Sequence, residues 1–419
     1  MSKNLSEVLF SEKFNIQETS TLIANSSSKK NTKLHNSTMD GGEQAGWYRL
    51  LKLLQWAWQG LDIIDCYEVL AKISASTNKR SDPELLDTVI GFRSGNWSYE
   101  WSKKAMQYQK QANEFANDGN KEKAKKYYYM ASQYYSVASY PHLKGDESSI
   151  QAQTLAYSNY RKSFDNDESA LLKEIQVPFE GKSIRCYLHL PNDDVIHPVV
   201  IVSSGLDALQ CDVLPLFEKL LKPAGIAMLT VDMPGVGFSN HLKLEQDTSR
   251  LHQAILKYMT EVPWVDQSRV ALMGMRMGGN ALTRLAYVEP KLVRAGVSVG
   301  AAVGSIFDSL DNFNKLPAMT LDCLASRMQL NHSDVNHLYQ LCVPFSLIKQ
   351  GLLGRKRIQT PLLSIGHAED LMCNEQDLKL IARASYESES KIINKPPIFD
   401  SYLQSLEYSA KWLTKHLQE

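Results

Sequence analysis

Charge of one sign is missing from this 419-residue chain, in which 46 Lys and Arg stand against 46 Asp and Glu. Without a net field, a basic groove for nucleic acid or a cationic face for an anionic membrane loses its electrostatic basis, and neither partner is expected. Long apolar runs are missing too. No stretch reaches the roughly 20 residues that a membrane-spanning helix needs, and no apolar segment of a signal peptide follows Met1, so a cytoplasmic protein is expected. Paired cysteines are absent. Cys66, Cys186, Cys211, Cys323, Cys342 and Cys373 fall without a C-x-x-C pair, as buried reduced thiols do, which excludes a disulfide framework or a zinc site. The ten histidines show no metal-ligand spacing, and neither a metal nor a cofactor is expected.

What is present divides the chain by texture. A chain of this length carries two or three domains of about 100 to 200 residues. Residues 1–45 are rich in Ser, Asn, Thr and Lys, and the run from Ala24 to Thr38 has too little apolar surface to offset the entropy of ordering, so a flexible arm is expected. Residues 46–165 read as a helical accessory domain, with apolar or aromatic positions at helical spacing over 47–58, 62–75, 83–93, 96–118, 121–139 and 151–164. The aromatic stripe from Trp47 to Trp58 is read as ordinary core between helices.

From Leu171 strands alternate with helices. Two alternating runs, 171–177 and 183–190, flank Glu180 and Gly181 and read as an antiparallel hairpin at a sheet edge. Runs at 199–204, 227–232, 270–275, 295–299, 361–365 and 391–393 are mostly unbroken and apolar, as parallel strands buried on both faces require. This order is that of an α/β hydrolase over 166–419, with a helical cap inserted at 304–357. Ligands of open α/β sheets bind outside the strands' carboxyl ends, so the helical domain is expected to cover that edge as a lid.

The central stretch is Arg269-Val-Ala-Leu-Met-Gly-Met-Arg-Met-Gly-Gly-Asn280, a strand that turns on glycines into a helix. It has the G-x-Nuc-x-G frame of a nucleophile elbow, from Gly274 to Gly278, but Arg276 stands at the apex. A guanidinium stays protonated and offers donors only, so it is no nucleophile. The histidine of a triad is missing as well, since the segment 393–401 contains none. His416 lies near the chain end, His367 reads as structural, and Ser203, Ser204 and Ser239 sit in loops with no visible base. The scaffold around the gap is complete: Gly205, Leu206 and Asp207 follow the first buried strand, where one oxyanion-hole N–H is supplied, and Met277 should supply the second. Asp232 to Ser239 forms a D-x-P-G-x-G-x-S loop, read as scaffold, and Asp370 ends a strand where the acid of a triad belongs. A cation at a helix N-terminus needs a negative partner, and Asp207, Asp370 or a substrate carboxylate could provide it.

Several stretches resemble the fermentation/respiration switch family, FrsA. They are Gly95-Asn-Trp-Ser-Tyr-Glu-Trp101, Tyr140-Pro-His-Leu-Lys144, Ile150-Gln-Ala-Gln-Thr-Leu-Ala156, Val199-Val-Ile-Val-Ser-Ser-Gly-Leu-Asp207, Met228-Leu-Thr-Val-Asp-Met-Pro234, Ser249-Arg-Leu-His-Gln-Ala254 and Gly274-Met-Arg-Met-Gly-Gly-Asn280. The family pattern itself carries Arg at the elbow. The resemblance implies an esterase of the α/β-hydrolase superfamily, a place in the balance of fermentation and respiration, and a phosphotransferase-system protein as partner. Three readings follow. The first is hydrolysis of a small ester by water activated at Asp207 or Asp370, with Leu206 and Met277 holding the oxyanion. The second is a lyase step, such as decarboxylation of a 2-oxo acid held by Arg276. The third is a non-catalytic ligand sensor or partner of a phosphotransferase-system regulator.

Overall fold

The computed structural model describes residues 43–165, 171–330, 334–368, 370–393 and 398–418, and the side chains of 398–400 are outside that description. The expected arm at 1–45 therefore lies almost wholly outside the described residues. Eight strands form one sheet in the order β1-β2-β4-β3-β5-β6-β7-β8. Strands β1 (Leu171–Phe179) and β2 (Lys182–Leu190) make the expected edge hairpin, and β2 also runs antiparallel to β4 (Ala227–Val231). The remaining pairings, through β3 (His197–Ser203), β5 (Val265–Met275), β6 (Ala295–Val299), β7 (Leu362–Gly366) and β8 (Ser388–Ile392), are parallel.

The buried runs explain the sheet. Along β3 the even positions Val200 and Val202 join a core on one face, while Val199 and Ile201 join a core on the other. Helix α6 (Arg250–Tyr258) packs Leu251 and Ile255 into the second core, and α7 (Arg276–Val288) follows β5. The C-terminal α11 (Ile398–Gln418) packs Leu406, Leu413 and Leu417 into the first core.

That first core extends without a break into the N-terminal helices α1 (Leu53–Gln59), α2 (Ile63–Ser74), α3 (Trp97–Asn117), α4 (Lys121–Ser139) and α5 (Glu147–Asp165). Asn side chains cap α3 and α4: Asn96 accepts from Tyr99 N–H and Asn120 from Lys123 N–H, both at 3.1 Å. Trp56, Trp97 and Trp101 are interior and in mutual ring contact, while Trp47 and Trp58 are partly buried against the same core. These helices meet the loops that leave the parallel strands. Gln133 Nε2 donates to the Cys211 carbonyl at 3.2 Å, and the Tyr157 hydroxyl to Asp232 at 2.7 Å.

Two expected helices are corrected. The helix at 47–58 begins only at Leu53, because the N–H groups of Tyr48 and Arg49 donate to the Asp87 carboxylate at 2.9 and 3.1 Å instead of serving a helical turn. No helix forms at 83–93. Its backbone makes an antiparallel bridge between Arg80 and Val89, with Ser81 N–H on the Thr88 carbonyl at 2.9 Å. Between β6 and β7 the expected insertion is helical, with two single turns, then α8 (Ala318–Arg327) and α9 (Val335–Cys342), and α10 (Glu375–Ala382) follows β7. Among the described residues no helix is long and apolar enough to cross a membrane.

Candidate active site

The turn between β5 and α7 is a strained elbow. Arg276 has φ 55°, in the left-handed region, where a residue with a Cβ is disfavoured by roughly 1–2 kcal/mol. The flanking glycines make the turn possible: a Cβ on Gly274 would lie 2.5 Å from the Gly278 carbonyl oxygen, and one on Gly278 would lie 2.3 Å from that of Ser203. The Arg276 side chain points into the protein and is 7% exposed.

A cation at the first turn of α7 opposes the helix macrodipole, at a cost of about 0.3–1 kcal/mol. Asp370, on the loop after β7, supplies the opposite charge. Arg276 Nη1 donates to Asp370 Oδ2, and the other carboxylate oxygen accepts from Met372 N–H at 2.9 Å, which holds the loop in place. Asp370 is fully buried in this pair.

Asp207 pairs elsewhere. Lys52, just before α1, places Nζ 2.7 Å from Asp207 Oδ2, with the two side chains 5% and 21% exposed. Burial would raise the Asp207 carboxyl, but the adjacent ammonium outweighs it and holds the group below the usual carboxylate range. Asp207 is therefore ionised at neutral pH. Gly205 lets this loop approach the elbow, since a Cβ there would lie 3.2 Å from Asp207 Oδ1 and 3.5 Å from Arg276 Cβ.

Leu206, Asp207, Arg276 and Met277 share one cavity of ≈ 40 Å³. Its other walls are mostly apolar: Leu50 from the N-terminal segment, Leu316, Pro317 and Met319 from the insertion, and Leu371 and Met372 from the Asp370 loop, with Thr320 as a polar exception. Met277 is the second residue of α7, so its N–H has no intrahelical acceptor. Cys323 also borders the cavity, but burial pushes its thiol up to about 12, far from a reactive thiolate. The structure thus brings Gly205, Leu206, Asp207, Arg276, Met277 and Asp370 to one place.

One expectation about the serines is wrong. Ser203 does have a histidine beside it: His252 Nε2, from α6, lies 2.9 Å from Ser203 Oγ. Both residues are fully buried and neither borders the cavity, so no substrate reaches them, and burial lowers His252 to about 4. Ser203 Oγ is also engaged with Met233 Sδ at 3.2 Å, so the pair belongs to the core. The D-x-P-G loop is scaffold. Asp232 accepts from Tyr157 Oη, from Phe238 N–H and from Gln210 through both its backbone and side chain, at 2.7 to 3.0 Å, and leaves no oxygen for a substrate. His416 packs against Trp412 with the rings tilted and their centroids 4.1 Å apart, and the His367 carbonyl accepts from Asp370 N–H at 3.2 Å. Among the described residues no group of three or more His, Cys, Asp or Glu side chains could hold a metal.

This architecture has close counterparts. A family model described as "Esterase FrsA-like" matches residues 1–418. The chain belongs to the FrsA-like esterase family. It is 41% identical to "Esterase FrsA" of Photobacterium profundum over 414 residues, 99% of this chain and 98% of that one. It is 42% identical to "Esterase FrsA" of Vibrio cholerae (strain M66-2) over 416 residues, with the same coverage of 99% and 98%. Among solved structures, a 2,6-dihydroxy-pseudo-oxynicotine hydrolase superposes with a TM-score of 0.70 at 17% identity, over 87% of this chain and 95% of that one. Wild-type AbyA5 superposes with a TM-score of 0.61 at 19% identity, over 85% and 98%. At these identities the superpositions speak for the fold alone, an α/β hydrolase with helices added to it.

Three residues that shape this FrsA-like site were invisible in sequence. Lys52 stands in an aromatic run that reads as core, His142 lies in the Tyr140–Lys144 stretch that carries only the family resemblance, and Arg327 falls in the helical insertion. Each reaches the Leu206–Asp207 loop, or residues beside it, only through tertiary contacts. His142 lies beside the Lys52–Asp207 pair in a second, polar cavity of ≈ 20 Å³, and burial and the nearby Arg327 cation lower its ring to about 3.

Proposed function

We propose that this FrsA-family chain hydrolyses small uncharged carboxylic esters by direct attack of water, without an acyl-enzyme. The observation that carries the reading is Asp207: an ionised carboxylate, 21% exposed, that lines a mostly apolar cavity together with Leu206, Arg276 and Met277. In the proposed step Asp207 takes a proton from water, the water oxygen bonds to the ester carbonyl carbon, and the N–H groups of Leu206 and Met277 hold the resulting oxyanion. Collapse breaks the bond to the leaving alkoxide, which takes the proton from Asp207, leaving acid and alcohol.

The paired state of Arg276 supports hydrolysis over the lyase reading, because a substrate carboxylate would have to displace a fully buried Asp370. The apolar walls and small volume favour a short acyl group. A cytoplasmic setting belongs to the same proposal, as do a role in the balance of fermentation and respiration and a phosphotransferase-system protein as partner, the last two resting on the family resemblance. The test is a panel of short-chain esters with wild type and Asp207→Asn. We expect slow turnover without a burst of alcohol release, and a loss of about 100-fold in Asp207→Asn. A stoichiometric burst would replace the mechanism with a covalent one, and no turnover of any ester would leave a ligand-binding protein.

A further inference from the structure

Arg327, the last residue of α8, is fully buried, and its guanidinium is spent on backbone carbonyls. Nε and Nη2 both donate to the Leu206 carbonyl, at 3.0 and 2.8 Å. Nη2 also donates to the Pro141 carbonyl at 2.8 Å, and Nη1 to the His142 carbonyl at 2.7 Å and the Ser326 hydroxyl at 3.2 Å. The cation is thus surrounded by dipoles and lowered in pKa by its burial. A buried guanidinium is costly to desolvate, and an apolar side chain could anchor a helix at less expense. What an apolar side chain cannot do is grip a carbonyl from two directions.

The gripped carbonyl is the informative one. It begins the Leu206–Asp207 peptide, so the two donors set the plane of that peptide, and with it the direction of the Asp207 N–H and the start of the Asp207 side chain. Asp207 is held again at its carboxylate by Lys52, at 2.7 Å. The loop after β3 is therefore clamped by two cations, one before α1 and one at the end of the insertion's main helix. The other side of Arg327 is packed as tightly: a Cβ on Gly235 would lie 2.9 Å from its Cδ and 3.0 Å from its Cα. Moving α8 away from the sheet would break the Arg327 bonds to Leu206, Pro141 and His142 together.

We propose that Arg327 is a positioning residue: by fixing the Leu206–Asp207 peptide it aims Asp207 at the Arg276 elbow and makes α8 a fixed wall of the cavity. The catalytic half of this statement rests on the hydrolytic reading; the structural half does not. Two variants test it. Arg327→Gln keeps polarity and can reach one carbonyl, and Arg327→Lys keeps the charge but cannot span Leu206 and the 141–142 turn together. For both we expect amide hydrogen exchange across 204–208 to accelerate at least about tenfold while exchange within β3 is unchanged. We also expect kcat to fall by about 10- to 100-fold on the best ester, with KM moved less than about threefold. Ile255→Ala, a core substitution remote from the cavity, is the control for lost stability without lost positioning. Faster loop exchange in a protein that cleaves no ester sinks the hydrolytic reading and keeps the clamp. Unchanged loop exchange, or a kcat no lower than that of Ile255→Ala, overturns the proposal. Should neither variant fold, wild-type exchange decides, since 204–208 and α8 must then open together, and opening of one without the other refutes the clamp.

Discussion

Lys52 and Asp207, 155 residues apart, meet at 2.7 Å at the edge of the cavity, one nearly buried and the other 21% exposed. Removing the ammonium leaves a largely desolvated carboxylate. Lys52→Met should destabilise the protein by about 2–3 kcal/mol, below the roughly 3–5 kcal/mol of a fully buried pair because Asp207 retains some water. The double variant with Asp207→Asn should recover most of that loss. Urea unfolding of the four proteins checks this, and additive losses would mean that the pair contributes nothing.

Arg276 and Asp370 form the tighter pair, with Asp370 wholly buried. Arg276→Ala should cost about 3–5 kcal/mol by leaving that carboxylate without its guanidinium. Arg276→Gly loses the same ion pair but relieves the left-handed φ, so it should be more stable than Arg276→Ala by about 1 kcal/mol. Calorimetry on both variants checks the order, and equal stabilities would mean that the elbow stores no strain.

The elbow was readable from its glycines because their small size is a steric demand of the turn itself. The parallel strands were readable because burial on both faces leaves an unbroken apolar run, as at β3 and β4. What stayed hidden is long-range. The late start of α1 follows from Asp87 capturing the N–H groups of Tyr48 and Arg49, and nothing local announces an acceptor nearly forty residues away. Lys52, Arg327 and the pairing of Ser203 with His252 are of the same kind, contacts set by how segments pack. The charges at the site could be nominated from sequence, but which carboxylate pairs with which cation could not.

The Ser203–His252 contact bears directly on mechanism. A fluorophosphonate probe labels a serine only if it reaches an activated hydroxyl, and this one is sealed in the core. No serine should be labelled, and Ser203→Ala should keep ester turnover within about threefold while weakening the core modestly. Intact-mass spectrometry after probe treatment is the check. One labelled serine per chain would restore a covalent mechanism.

Asp212 sets a pH dependence of stability. It is buried beside the cavity that holds Lys52 and His142, its Oδ2 accepts from Leu209 N–H at 2.9 Å, and burial raises its carboxyl from 3.8 to about 7. Asp232 nearby pushes in the same direction, while the Leu209 N–H and Lys52 oppose it. Between about pH 4 and pH 7 the folded protein therefore keeps a proton that the unfolded chain has released. By linkage, this group's contribution falls as pH rises through that window and is fully lost above it, by on the order of 4 kcal/mol at most. The buried His142, His189 and His252, lowered by burial to about 3, 4 and 4, act in the opposite sense, since the unfolded chain protonates first as pH falls below about 6.5. The wild-type profile blends the two, so the difference between wild type and Asp212→Asn is the informative quantity. Asparagine can still accept from Leu209 and does not titrate. The variant's advantage over wild type in urea unfolding should therefore grow between pH 5 and pH 8, by on the order of 3 kcal/mol at most, and an equal difference at both pH values would show that Asp212 is ionised in the folded protein throughout.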